Sequence, residues 1–231
     1  MSLVERVQSI LLRPRQTWPV IAAEAGTAAS IYSGYLVFLA AVSAIAGFIG
    51  MSFVGIGGFG ATMRVPVVTG LVNMVLGFVL SLAMVWVMAL VVNALAPTFG
   101  GTKDQLAALK LVAYASTAGF LGGIFNLIPA LAILGLLAAL YSIYLLYTGV
   151  AVMMRSPPEK SVAYTAVVVV CAIVLGVVMA AVLALVTPTP RGGALVGSAG
   201  ASGSTADQTA DRAALTVSAS AMSDVGLQPA R

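Results

Sequence analysis

The sequence predicts an all-α fold, a polytopic transmembrane helix bundle of about five spans with its N-terminus cytoplasmic and its C-terminus outside. Three observations carry this. Hydrophobic residues make up 61% of the 231 and charged residues only 8%, against about a quarter charged in water-soluble domains; mean hydropathy is +1.08. The charges are bunched: none lies between Glu24 and Arg64, Arg64 and Lys103, Lys110 and Arg155, or Lys160 and Arg191. About 20 apolar residues span a bilayer core, and the core offers no water to bond irregular backbone, so each run must be helical.

Taken in order, the first run predicts a span over about 31–51. The second predicts one over about 66–95, long enough to tilt or protrude. The third is too long for a single helix, which at ~1.5 Å per residue would far exceed a ~30 Å core. Near its middle stands Asn126-Leu127-Ile128-Pro129, and proline breaks the helical ladder and pushes its predecessor out of helical geometry. Two spans are therefore expected, about 111–127 and 130–154, joined by a tight turn. The fifth runs over about 161–186 and stops at Pro188 and Pro190. This divides the chain into an N-terminal segment, 1–30, a membrane domain, 31–187, and a tail, 188–231. The tail is rich in Gly, Ala, Ser and Thr and reads as disordered, because it buries too little to offset its ordering entropy.

An odd number of spans puts the termini on opposite sides. Arg6, Arg13, Arg15, Lys103, Lys110, Arg155 and Lys160 fall on one side, Arg64 and Arg191 near the other. The positive-inside rule assigns the first side to the cytoplasm, together with the 96–110 and 155–160 loops. No secretory signal is expected, since Glu5 and Arg6 interrupt the first apolar stretch. Leu3, Val7, Ile10 and Leu11 instead share one helical face, while Glu5, Gln8, Ser9 and Arg13 share another. That spacing suits a short helix lying on the membrane surface, with a disordered arm as the competing reading. Pro14 would end this helix, and Trp18 is placed to anchor at the interface.

Several chemistries are excluded by residue type. The chain has no histidine and one cysteine, Cys171, which removes His-based catalysis, His-ligated metals, internal disulfides and Cys-based metal cages. No cofactor is implied, and no basic cluster interleaved with aromatics marks a nucleic-acid interface. Gly55-Ile56-Gly57-Gly58-Phe59-Gly60 matches G-x-G-x-x-G, but the flanking strand, helix and downstream acid that the dinucleotide fingerprint needs are missing. A Gly-rich loop accounts for it better. No Asp, Glu, Lys or Arg falls inside an expected span, where ion-coupled transporters place ionisable groups, and no paired carboxylates face one another there for general acid/base work, so an enzyme is not expected.

Small residues recur at every fourth position, as Ala115, Gly119 and Gly123 in the third span and Ala172, Gly176, Ala180 and Ala184 in the fifth. Such ridges let helices approach closely in lipid. Asn73, Asn93 and Asn126 are possible interhelical bonders. Tyr141, Tyr144 and Tyr147 step along the fourth span beside Ser142 and Thr148. They are a candidate polar stripe facing a cavity or lipid head group, or else helix packing with an aromatic belt.

One resemblance stands out. Arg13-Pro14-Arg15-Gln16-Thr17-Trp18 is similar to the P-x-x-x-W/F entry of bacterial members of the Yip family of integral membrane proteins. Gly100-Gly101-Thr102-Lys103 leading to Tyr114-Ala115-Ser116-Thr117-Ala118 resembles that family's central segment. The strongest match is Leu140-Tyr141-Ser142-Ile143-Tyr144-Leu145-Leu146-Tyr147-Thr148-Gly149, followed by Pro158-Glu159-Lys160 and Tyr164. It covers about residues 5–187. The resemblance implies a five-span bundle with a cytoplasmic N-terminus. Eukaryotic relatives are associated with Rab GTPases and vesicle traffic and carry a long soluble N-terminal region that has no counterpart here; the bacterial branch has no settled activity. With an Ala/Val/Gly-rich composition, the expected setting is a bacterial cytoplasmic (inner) membrane. The expected function is a non-enzymatic organiser or adaptor that binds lipids, a membrane or cytoplasmic protein partner, or itself. The alternative is a small-solute channel or facilitator. Candidate lipid or partner contacts are Arg13, Arg15, Trp18, Glu159 and Lys160, the last two able instead to pair and cap the fifth helix.

Overall fold

Ser2 opens the first helix. Its hydroxyl accepts the Glu5 N–H at 3.3 Å, and its own N–H reaches the Glu5 carboxylate at 3.1 Å, a reciprocal cap for two donors that the first turn leaves free. Helix α1 (Leu3–Leu12) ends at Arg13, because Pro14 cannot continue it. The same proline suits the first position of α2 (Pro14–Ala23). Thr17 donates its hydroxyl to the carbonyls of Ser9 at 2.9 Å and Arg13 at 2.8 Å, tying the elbow between them. This computed structural model describes residues 2–58, 61–63, 65–128 and 131–186; the expected tail, Arg64 and Arg191 lie outside them.

Five helical segments follow that are long and apolar enough to cross a membrane: Ala28–Val54, Val67–Phe99, Gln105–Leu127, Ile133–Met153 and Pro158–Leu185. The first is capped by Thr27 and Ser30, which exchange backbone-to-hydroxyl bonds at 3.2 and 3.1 Å. It comprises α3 (Ala28–Ile31), a π turn over Tyr32–Leu36, α4 (Val37–Ile49) and a second π turn over Gly50–Val54. The Gly-rich connection expected after it forms a small antiparallel ribbon, β1 (Ile56–Gly58) with β2 (Ala61–Met63), pairing Ile56 with Met63 and Gly58 with Ala61. Helix α5 (Val67–Leu95) runs into a 3-10 turn, Ala96–Phe99, and stops at Gly100, whose φ of 75° is left-handed and free of strain for glycine alone.

The third segment departs most from expectation. Asp104 accepts the N–H groups of Leu106 at 2.9 Å and Ala107 at 3.0 Å, so α6 (Gln105–Ala115) starts six residues before the expected span. It continues as α7 (Thr117–Gly122) and a 3-10 turn, Gly123–Leu127. Two-thirds of its apolar window is buried inside the protein, against 6% for the last segment. The third span is the central post: the first, second and fourth spans pack against it, and the fifth lies outside against the second and fourth. The reversal expected near Pro129 holds: α8 (Ala132–Met153) packs back on α7, with the Gly119 N–H donating to Ser142 Oγ at 2.8 Å. The last helix, α9 (Pro158–Val186), starts on proline and presents Glu159 in its first turn, where the helix dipole favours a carboxylate.

The two small-residue ridges part company. Ala115 is buried, Gly119 meets Ser142 of α8, and a Cβ on Gly123 would lie 1.9 Å from Ser43 Oγ of α4, so that ridge is used inside the bundle. On α9 only Ala172 reaches the core; Gly176, Ala180 and Ala184 are exposed, with nothing within 4 Å of a Cβ on Gly176. The buried side chains gather at the end of the bundle that carries α1 and α2, termed here the strap end: Val85 to Val92 of α5, Val150 to Met154 of α8, and Tyr164 to Val168 of α9.

Candidate functional site

The strap end brings together residues far apart in sequence. Trp18, expected as an interfacial anchor, is fully buried instead. Its indole lies where a side chain on residue 149 would be, since a Cβ on Gly149 would come within 2.6 Å of Trp18 Cε2 and Cζ2. Its Nε1–H donates to Thr148 Oγ1 at 3.1 Å, satisfying the ring's one polar group. Trp18 therefore fastens α2 to α8. The Tyr141 hydroxyl donates to the Leu11 carbonyl at 2.5 Å, using an orphan acceptor at the end of α1. Two motifs behind the family resemblance, Pro14 to Trp18 and Tyr141 to Gly149, are thus the two halves of one joint.

Behind the joint lies a cluster that the sequence reading did not assemble. Arg6 Nη2 donates to both carboxylate oxygens of Glu24, at 2.6 and 2.7 Å. Its guanidinium carbon sits 5.7 Å from the centre of the Tyr114 ring, within cation–π range. Lys110 was expected in a loop and is buried in α6 instead. Its ammonium donates to the carbonyls of Ile21 at 3.1 Å and Glu24 at 2.5 Å, groups that α2 leaves open at its C-terminal end. An ionisable group does therefore stand within a span-length helix, contrary to the sequence expectation. Tyr35 pairs with Thr117 through their hydroxyls at 2.7 Å and packs on Tyr114 at 4.8 Å. A signal for Lys110 was available: Asp104 is an N-cap residue type, and a helix starting after it puts Lys110 in the second turn. Nothing local links Arg6 to Glu24.

Replacing Glu24 with alanine leaves Arg6 without its counter-charge, while the Lys110 bonds to the Ile21 and Glu24 carbonyls can remain. A charged hydrogen-bonded pair is worth about 1.5–3 kcal/mol, reduced here because the Glu24 side chain is 39% exposed. The thermal midpoint in detergent should fall by about 2–6 °C; an unchanged midpoint would show that the ion pair does not hold the strap.

The other expected contacts remain at the surface of the same end. Arg13 and Arg15 are exposed on the elbow between α1 and α2. Glu159 and Lys160 are exposed at the start of α9, with no ion pair between them among the described residues. Two loops join beside them: the Thr102 N–H donates to the Met154 carbonyl at 2.9 Å, and a Cβ on Gly100 would lie 3.4 Å from the Pro157 ring and 3.9 Å from Lys160 Nζ. Under this junction Phe99 stacks on Tyr164 at 4.9 Å and 9°, and the Tyr164 hydroxyl donates to the Val92 carbonyl. Exposed Lys103, Asp104, Arg155, Glu159 and Lys160 therefore border one braced surface.

None of the three tyrosines lines the main cavity among the described residues. A cavity of about 550 Å³ lies among α5, α6–α7, α8 and α9, and α8 turns Ala139, Ser142, Ile143 and Leu146 toward it. Tyr141, Tyr144 and Tyr147 occupy the opposite face, as helical periodicity requires. Tyr144 and Tyr147 are 39% exposed there. Asn93 bonds Gln105 at 2.9 Å, joining α5 to α6 as an interhelical donor.

Comparison with known proteins fits this picture. The family model of the Yip1 domain matches residues 9–219. Inner membrane protein YohC of Escherichia coli K12 is 27% identical over 167 residues, covering 71% of this chain and 86% of that protein. The protein of the same name in Escherichia coli O6:H1 (strain CFT073) aligns to the same extent. No solved structure matches the chain. With the family match running through both halves of the Trp18–Gly149 joint and all five span-length helices, the chain belongs to the Yip1 domain family and is an integral membrane protein.

Proposed function

We propose that this protein is a non-enzymatic organiser or adaptor of a bacterial inner membrane, with its strap end in the cytoplasm and its docking surface on the joined loops at that end. One observation carries the reading. The exposed charges Lys103, Asp104, Arg155, Glu159 and Lys160 are mounted on two loops hydrogen-bonded to each other and braced by the Phe99–Tyr164 stack. Rigid polar surface of this kind loses little entropy when a partner binds. A non-enzymatic role is supported by the absence of histidine. The setting is supported by the relative's name, an inner membrane protein. Arg13 and Arg15 sit where anionic head groups would meet them, worth about 1 kcal/mol each.

The docking test is a photo-crosslinking residue at Glu159 in native membranes. Position 156 is unsuitable because Ser156 is buried. The expected result is a defined protein adduct that disappears when Arg155 and Lys160 are both changed to alanine. Adducts to lipid or to the protein itself alone would overturn the assignment. Orientation is checked separately with Arg13→Cys in a Cys171→Ser background. An impermeant maleimide should label it in inverted vesicles and not in intact spheroplasts; the reverse pattern would place the strap end outside.

A further inference from the structure

The 550 Å³ cavity has a neighbour along α5. A second cavity of about 250 Å³, bounded by Gly70, Asn73 and Gly77, adjoins it at Ser81 and Phe120. Together they follow α5 from Met88 to Gly70, about 27 Å at ~1.5 Å per residue. Their walls are almost wholly apolar, and the hydroxyls in the larger one are already engaged. Ser81 donates to the Phe78 carbonyl at 2.7 Å, Ser116 donates to the Val112 carbonyl, and Ser142 accepts from the Gly119 N–H. An apolar cavity without free hydrogen-bonding groups does not hold water. At the depth of a hydrocarbon core, the medium that fills it is acyl chain.

The far end differs. Asn73 lines the smaller cavity, and its Oδ1 is buried with no hydrogen-bond partner among the described residues, as is Ser52 Oγ against the neighbouring Gly70. A buried amide acceptor left unpaired costs about 1–3 kcal/mol, so this end asks for a donor. Asn73 lies six residues into α5, about 9 Å along the helix, which is the depth of a lipid's polar backbone rather than of the bilayer centre. Tail space with a hydrogen-bonding group at one end has the amphiphilic pattern of a lipid.

We propose that this groove is a specific binding site for one acyl chain of a glycerophospholipid. The chain runs beside α5 from Asn73 toward Met88, and the polar backbone of the lipid lies at the Asn73 end. The esterified backbone has no donor of its own, so the head-group ammonium of phosphatidylethanolamine or a head-group hydroxyl of phosphatidylglycerol supplies the one that Asn73 Oδ1 lacks. This deepens the lipid-binding half of the proposed function by naming the ligand class. It does not depend on the loop surface, so the adduct test at Glu159 and the test below fail independently.

The full chain is reconstituted into vesicles of phosphatidylethanolamine and phosphatidylglycerol containing phosphatidylethanolamine with a diazirine on one acyl chain. Photolysis and peptide mapping should place the label on groove residues such as Met74, Met84 and Met88. Ala139→Phe combined with Ala172→Phe fills the cavity and should lower that labelling at least fivefold, while Val177→Phe, which adds the same ring on an exposed face of α9, leaves it unchanged. Asn73→Leu, which keeps the side chain's size and removes its acceptor, should lower it several-fold. Labels confined to outward residues such as Val177 and Leu185 in the unaltered chain would show annular lipid only and overturn the site. So would equal labelling in all variants, or groove labelling by a diazirine fatty acid but not by the phospholipid. Mapping on the unaltered chain decides the matter even if the filled variant does not fold.

Discussion

Trp18→Ala is expected to release the N-terminal strap. The indole is fully buried, fits a slot that only Gly149 leaves open, and donates to Thr148. Truncating a buried Trp costs about 3–5 kcal/mol, which for a chain of this size lowers the midpoint by about 6–20 °C. The loss should be local first. With Trp18 gone, α1 and α2 are left with the Tyr141 and Lys110 bonds, the Arg6–Tyr114 contact and the buried Ile10 and Ile21, a weaker seat that opens more often. Trypsin should then cut after Arg15 many times faster than in the parent (the Arg13–Pro14 bond resists it), while the membrane spans stay protected. Trp18→Phe keeps most of the packing and loses one hydrogen bond, about 1 kcal/mol. Equal protease resistance of the alanine variant and the parent would show that the strap is held elsewhere.

Gly50→Ala is the second large effect, and it acts at the opposite end. A Cβ there would stand 1.9 Å from the Asn126 carbonyl oxygen and 2.9 Å from its carbon. Those atoms are backbone of the 3-10 turn that closes the third span, so no side-chain rotation relieves the clash. The π turn after α4 must lift away from residues 123–127, with an overpacking penalty of about 1–3 kcal/mol or more. Gly47→Ala makes a matched comparison one turn earlier, where nothing lies within 4 Å. It should be neutral or stabilise by about 0.5–1 kcal/mol, since alanine is the better helix former. Melting the two variants side by side in detergent gives the contrast. Indistinguishable midpoints would mean that the two segments are not in contact.

Both predictions concern glycines or aromatics that a sequence reader places by type but not by partner. Gly149 reads as one more small residue in a run of Leu, Tyr and Val; its meaning comes from Trp18, 131 positions away. The tyrosines show the same limit. Their spacing put Tyr141, Tyr144 and Tyr147 along one side of a helix, and so they are. Whether that side met a cavity or the strap depended on the rotation of α8, which Ser142 and Gly119 set by packing. Lys110 was misplaced because charge was used as a boundary marker. A lysine whose ammonium caps the end of another helix is no longer a solvent-seeking group, and the apolar run seemed to begin after it.

Composition and the spacing of charges were enough for the class of the protein, the count of spans and their approximate limits. Those properties follow from the bilayer, which imposes one length and one backbone geometry on any apolar run that crosses it. The motifs were legible too, as the family match shows. Only the tertiary structure decided that the third span is the central post, that Trp18 turns inward, and that Arg6, Glu24 and Lys110 share one cluster. In lipid no hydrophobic force ranks one apolar face above another, so helix order and rotation rest on close fits and a few hydrogen bonds between distant residues. Such pairings leave no periodic trace in the chain.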